Sequence, residues 1–169
     1  MSVAAENDYP DAPWILHGDA IARLGVRGVT AFVHYVDSPV GPYQEMAVAQ
    51  LTWRGPRVVA MPVTDERAMR AGREIWGFPK SLRALRWQST LRRDGERISF
   101  DDGKQRHRFR IARSAVALSL RGWTIQTRCG QDVRVPVCLK ARFHLAWHGP
   151  RLAIALRNFE LIVAAAQEI

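Results

Sequence analysis

Only one stretch of this chain carries a helical period, and that narrows the folds open to it. In "TDERAMRAGREIW", residues 64–76, Ala68, Met69, Ala71, Gly72, Ile75 and Trp76 share one side of a helix. Glu66, Arg70 and Glu74 lie four apart on the other side, where opposite charges can pair. Thr64 is the expected N-cap, and Asp65 and Glu66 put negative charge at the positive end of the helix dipole. Gly77 and Pro79 stop the helix. The rest reads as extended chain broken by turns. "HGDAIARLG" (17–25) and "VTAFVHYVD" (29–37) are two strands around a glycine-containing turn, and "SPVGPY" (38–43) is another turn. "EMAVAQLTW" (45–53) alternates, with Glu45, Ala47, Ala49, Leu51 and Trp53 on one face and Met46, Val48, Gln50 and Thr52 on the other. "RGPR" turns into the apolar strand "VVAMPV" (58–63), and further strands are expected near 82–91, 96–101, 104–112, 115–127, 133–147 and 151–156. The tail "RNFELIVAAAQEI" fits a helix or a strand. No repeat or linker breaks the chain, so the expectation is one mainly β (α+β) domain over 1–169, with 1–11 loose.

At 169 residues the chain is long enough for one core. It has no apolar run near the roughly 20 residues of a membrane span, so no membrane partner is expected. "MSVAAENDYPDAPW" lacks the basic and apolar regions of a secretory signal, which points to a cytoplasmic protein. Cys129 and Cys138, nine apart with no CxxC, read as reduced thiols. The net charge of +9 invites a nucleic-acid reading. In "KQRHRFR" a strand would set Lys104, Arg106, Arg108 and Arg110 on one face. No RNA-binding, zinc-finger or helix-turn-helix pattern accompanies them, so nucleic acid is the weaker class of partner. His144 and His148 in "HLAWH" have the spacing of a helical zinc site, but the segment reads as a strand. There the imidazoles would stand about 13 Å apart, and no metal is expected.

"GREIWGFPKS" (72–81) holds the residue with the most chemistry. Lysine occurs only at positions 80, 104 and 140 in a chain that otherwise uses arginine for positive charge. An amine differs from a guanidinium in one respect near neutral pH: it can lose its proton and attack a carbonyl. Proline stiffens the backbone entering Lys80, while Trp76 and Phe78 offer apolar surface that could close over the amine. Glu45 opens a strand on an apolar face, either at a rim in water or drawn into a cavity. Arg73 could add positive field near Lys80, and Glu74 has a structural role opposite Arg70.

"AGREIWGFPKS" (71–81) resembles the signature of the acetoacetate decarboxylase family, a Gly-Arg-Glu segment leading into aromatic-Pro-Lys-Lys. "SPVGPYQE" (38–45), with Tyr43 beside the glutamate, resembles its other active-site segment, and the order and separation agree. The resemblance spans roughly residues 12 to 160. It implies curved β-sheets forming a cone or barrel around a hydrophobic cavity. It implies that Lys80 forms a Schiff base with a small keto acid, for decarboxylation or for related aldol or dehydration chemistry. Activation of a lysine for such chemistry is known from acetoacetate decarboxylase. Glu45 would orient the substrate or carry a proton, with Arg73, Glu74, Trp76, Phe78, Ser81 and Tyr43 lining or supporting the cavity. The resemblance further implies a homo-oligomer and requires no metal or organic cofactor. Three departures stand out. Ser81 replaces the second lysine. The upstream segment "VTAFVHY" offers Thr30 and His34 where the longer relatives have a second glutamate. The arginine that addresses the substrate carboxylate has only Arg23 and Arg27 as counterparts. A cavity of the same fold that binds its ligand without turnover is the alternative.

Overall fold

The computed structural model describes residues 8–26 and 28–169; residues 1–7 and Arg27 lie outside them, and of the segment expected to be loose, Asp8, Tyr9 and Pro10 are held by Arg70, Glu74 and Trp14. Four antiparallel strands open the chain: β1 (Trp14–Gly25), β2 (Gly28–Asp37), β3 (Tyr43–Thr52) and β4 (Gly55–Val63). Helix α1 (Glu66–Trp76) follows and leads to β5 (Lys80–Leu82). A second antiparallel run comprises β6 (Arg86–Arg92), β7 (Gly95–Asp101), β8 (Arg106–Arg128), β9 (Gln131–His148) and β10 (Arg151–Val163). The short β11 (Gln167–Glu168) adds to β9. Pairing of β1 with β10, from Trp14 opposite Val163 to Arg23 opposite Ala153, joins the two runs. The result is one curved sheet in the order β5-β4-β3-β2-β1-β10-β9-β8-β7-β6.

The ends of this sheet are not hydrogen-bonded to each other, so the cone is an open one. Its curl brings β4 against the far end of β8 through side chains: Arg57 donates to Thr127 at 2.8 Å and to Asp132 at 2.9 Å. Arg54 reaches Asp132 at 2.8 Å. Two apolar clusters pack on opposite faces of the sheet, since Val33 and Phe32 are neighbours on β2. One contains Trp14, Val33, Tyr35, Val63, Trp76 and Phe159; the other contains Ile21, Phe32, Ile98, Phe100 and Phe109. The mainly β fold with one helix is the one expected, and no helix among the described residues is long and apolar enough to cross a membrane.

Several local expectations are corrected. The N-cap of α1 is Asp65, whose Oδ1 accepts the Ala68 N–H at 2.9 Å, because the Thr64 hydroxyl is taken by the Gln44 N–H of β3. Arg70 does not pair along the helix. It reaches Asp8 at 2.8 Å, and Glu74 accepts the Tyr9 hydroxyl instead. The face that begins with Glu45 is buried only at its start: Leu51 is 77% and Trp53 88% exposed, past the end of the core. The two strands expected at 104–112 and 115–127 are one strand, β8, with a register shift between Ile111 and Ala115; Lys104 stands in the turn before it. The tail is strand to Val163. "HLAWH" lies within β9, and His144 and His148 direct Nδ1 to the carbonyls of Ala112 and Arg108.

Asp102 ties the β7–β8 turn together. Its Oδ1 accepts the N–H groups of Lys104 and Gln105, and its Oδ2 lies 2.9 Å from Nε2 of the buried His107. Burial pushes its carboxyl up, but the His107 and backbone hydrogen bonds outweigh burial and hold it below the ordinary value of 3.8. The stabilisation from a depressed carboxyl is complete above the unfolded-state value and is lost as pH falls through the folded one. Asp102→Ala is therefore expected to cost about 1–3 kcal/mol at neutral pH. Urea unfolding should show that cost shrinking as pH falls below about 4.

Candidate functional site

Lys80 and Glu45, 35 residues apart, meet inside the cone. Glu45 sits on β3 between Val33 of β2 and Val63 of β4. Lys80 opens β5, beside Met61 on the other edge of β4. β4 and β5 are parallel, which requires a crossover connection, and α1 provides it. The end of that helix sets the lysine. Gly77 adopts φ +72 and, with Phe78, closes the carbonyls of Arg73 and Gly72. The Lys80 N–H then bonds back to Phe78 O at 2.8 Å, a three-residue turn centred on Pro79.

The amine and the carboxylate are 5% and 3% exposed, and Nζ lies 2.8 Å from Glu45 Oε2. Tyr35 donates its hydroxyl to Glu45 Oε1 at 3.0 Å, so both carboxylate oxygens are engaged. Nζ also stands 5.5 Å from the centre of the Tyr43 ring. Both phenols are held far above the ordinary tyrosine value, first by burial and then by the negative charge of Glu45. They stay protonated and uncharged. These groups face a cavity of about 210 Å³ whose remaining walls are almost wholly apolar, Trp76 and Phe78 among them.

The other expected residues sit differently. Arg73 is exposed and donates Nε to the Lys80 carbonyl at 2.7 Å, so it holds the backbone and not the amine. Glu74 is outside the cavity on Tyr9, whose hydroxyl is raised to about 12 by burial and then by Glu74. Ser81 is exposed, since neighbouring strand residues point to opposite faces, so the position of the family's second lysine does not look into this cavity. The same alternation on β2 sends Ala31, Val33 and Tyr35 to the cavity. His34 turns outward to Gln44 and Trp87. Burial lowers its pKa, and Arg157 adds to that against the opposing pull of Asp19. Arg23 lies over Phe32, in the second cluster. Arg106, Arg108 and Arg110 are exposed on the far half of the sheet, where Arg108 and Arg110 line an open groove with Arg92, Arg97 and Trp147.

Two residues escaped sequence reasoning. Tyr35 lay in the expected strand 29–37, with nothing to mark it as the partner of Glu45. Gly72 was read as part of a buried helix side, whereas its lack of a side chain is what admits Lys80. A Cβ there would stand 2.4 Å from Lys80 Cδ and 2.6 Å from Cε.

Comparison with known proteins adds a family. The model of the acetoacetate decarboxylase family matches residues 26–121, more than half of the chain. Among solved structures, an acetoacetate decarboxylase from Legionella pneumophila superposes with a TM-score of 0.61 at 12% identity, covering 99% of this chain and 91% of that one. MppR, an enduracididine biosynthesis enzyme solved with pyruvate, superposes with a TM-score of 0.60 at 10% identity, covering 95% and 91%. A further acetoacetate decarboxylase structure gives 0.57 at 14% identity, over 95% and 91%. Comparison with curated protein sequences gives no match.

Two outcomes follow from this geometry. Gly72→Ala should displace the lysine chain and lower the reactivity of its amine about 100-fold, since ångström-scale misplacement has effects of that size. Stability should fall by roughly 2–4 kcal/mol, because breaking the buried pair costs about 3–5 kcal/mol and alanine in a helix interior returns only about 1 kcal/mol over glycine. Amine labelling and thermal unfolding read the two effects separately. Glu45→Leu should cost about 3–5 kcal/mol by leaving a buried charge without its partner, and adding Lys80→Met should recover most of it. Urea unfolding followed by tryptophan fluorescence measures both.

Proposed function

The chain belongs to the acetoacetate decarboxylase family, and from that premise we propose that it is a lyase acting on a small carbonyl compound through a Schiff base at Lys80. One observation carries the proposal: a buried amine 2.8 Å from a buried carboxylate, in a cavity lined by apolar side chains. Proton transfer from Nζ to Glu45 Oε2 frees the nitrogen lone pair to attack a carbonyl carbon. Loss of water then leaves a protonated imine beside Glu45. That cation draws electrons from the adjacent carbon, so a bond to that carbon can break, whether to hydrogen, to a carboxyl or to another carbon. Decarboxylation, aldol and dehydration steps share this intermediate. Glu45 is suited to take or return the proton, and the Tyr35 hydrogen bond fixes the direction of its second oxygen. MppR supports carbon–carbon chemistry on this fold, having also been solved with the condensation product of pyruvate and imidazole 4-carboxaldehyde at a TM-score of 0.51.

Borohydride reduction with intact-mass detection tests the reading. Incubation with acetone, acetoacetate or pyruvate should leave a covalent adduct that disappears in Lys80→Ala and in Lys80→Arg. An adduct that persists in both variants would move the chemistry elsewhere. No adduct with any carbonyl compound would leave a cavity that binds without turnover.

A further inference from the structure

The polar inventory of the cavity restricts what can enter it. Of the side chains lining it, only Lys80 and Glu45 carry charge, and they are bonded to each other. The other polar groups on its walls are uncharged, and most are already engaged. Trp14 Nε1 donates to Pro10 O at 2.9 Å, and Trp76 Nε1 donates to Ala164 O at 2.7 Å. Thr124 Oγ1 accepts from Gln126, and the Tyr35 hydroxyl is spent on Glu45. The arginines near the site point away from it: Arg73 to a backbone carbonyl, Arg57 to Thr127 and Asp132, Arg23 to Phe32. Among the described residues the lining therefore offers, besides the ammonium, only the neutral hydroxyls of Tyr43 and Thr124, and no cation to spare.

A charge count makes this restrictive. The resting pair has a net charge of zero. Condensation with a ketone forms a carbon–nitrogen bond, expels the carbonyl oxygen as water, and leaves the iminium with the positive charge that the ammonium held. The net charge is still zero beside Glu45. A keto acid adds a carboxylate, making the cavity net negative with no second cation among the described lining residues to face the new oxygens and Glu45 nearby. Burying an anion without a partner is among the most unfavourable things a cavity can do.

We infer that the carbonyl compounds this site takes are neutral ketones and aldehydes with a compact apolar body, rather than the small keto acids that the family resemblance implies. The inference rests on the imine reading above. The cavity, at about 210 Å³, is smaller than the roughly 300–1,000 Å³ of sites for drug-sized ligands, which keeps the body small. After imine formation the Glu45 carboxylate takes a proton from the carbon next to the iminium. The electron pair of that carbon–hydrogen bond becomes the enamine double bond, the nitrogen becomes neutral, and Glu45 becomes a carboxylic acid. Proton return from Glu45 reverses the step, so a bound ketone should exchange those hydrogens with solvent.

Matched pairs that differ in a carboxylate test the inference: phenylacetone against phenylpyruvate, and methyl acetoacetate against acetoacetate. Cyanoborohydride trapping rates at Lys80, each divided by the rate of the same compound with Nα-acetyl-lysine, remove differences in intrinsic reactivity. The expected result is trapping at least tenfold faster for the neutral member of each pair, abolished in Lys80→Ala. Glu45→Gln should narrow the ratio, because the protein's own anion is gone. Solvent deuterium should enter phenylacetone in the presence of the wild-type protein. Equal or faster trapping of the keto acids, with dependence on Lys80, would overturn the neutral-substrate inference and leave the imine reading intact. No adduct with any of the four compounds would overturn the imine reading and the inference with it.

Discussion

A buried amine held 2.8 Å from a buried carboxylate is the constraint around which this half of the molecule is arranged. Each charge alone would be too costly to keep among Trp14, Val33, Trp76 and Phe78. Together they are tolerated, because each neutralises the other and Tyr35 satisfies the second carboxylate oxygen. The pair spans three adjacent strands, β3, β4 and β5, and β5 reaches its parallel place only through α1. The helix is thus more than a cover for the sheet: it delivers the lysine. Its buried residues Ala68, Ala71 and Trp76 anchor it, and Gly72 leaves the gap through which the lysine chain runs.

The other half of the sheet has a different character. It packs Phe100 and Phe109 against Phe32 on the face of β2 opposite the cavity, a cluster tied at one end by Asp102 and His107. β7 pairs with β8 only as far as Ile111. From Arg113 to Arg121 every residue of β8 is exposed, and among the described residues that stretch pairs only with β9. The chemistry is concentrated where the sheet closes tightly and is backed by the helix.

Much of this was written in the sequence in a form that elementary rules can read. One helical period and many turn-bounded extended segments gave the fold class, and glycine and proline marked the end of α1. Residue types made Lys80 and Glu45 candidates, and the family resemblance gave them a shared role before any geometry was known. What stayed hidden depended on neighbours distant in sequence. Whether Glu45 lies at a rim or in a cavity is decided by β2 and α1. Thr64 loses the cap to Asp65 because Gln44, 20 residues earlier, takes its hydroxyl. Ser81 could be seen as a missing lysine, but its outward direction follows from the register of β5 against β4. Tyr35 matters because the β2–β3 ladder brings it near Glu45, and no motif records that.

The central claim is that the Lys80 amine, inside the cavity and beside Glu45, is the group that reacts with a carbonyl. The chain contains three lysines, and Lys104 and Lys140 are exposed. Nitrogen-15 labelling of lysine Nζ therefore gives a spectrum simple enough to follow each amine by NMR. On titration with phenylacetone, the account predicts that the Lys80 signal alone leaves the ammonium region for that of a protonated imine, while the other two stay in place. If all three signals remain ammonium at saturating ketone, or if Lys104 or Lys140 reacts in place of Lys80, the account is contradicted.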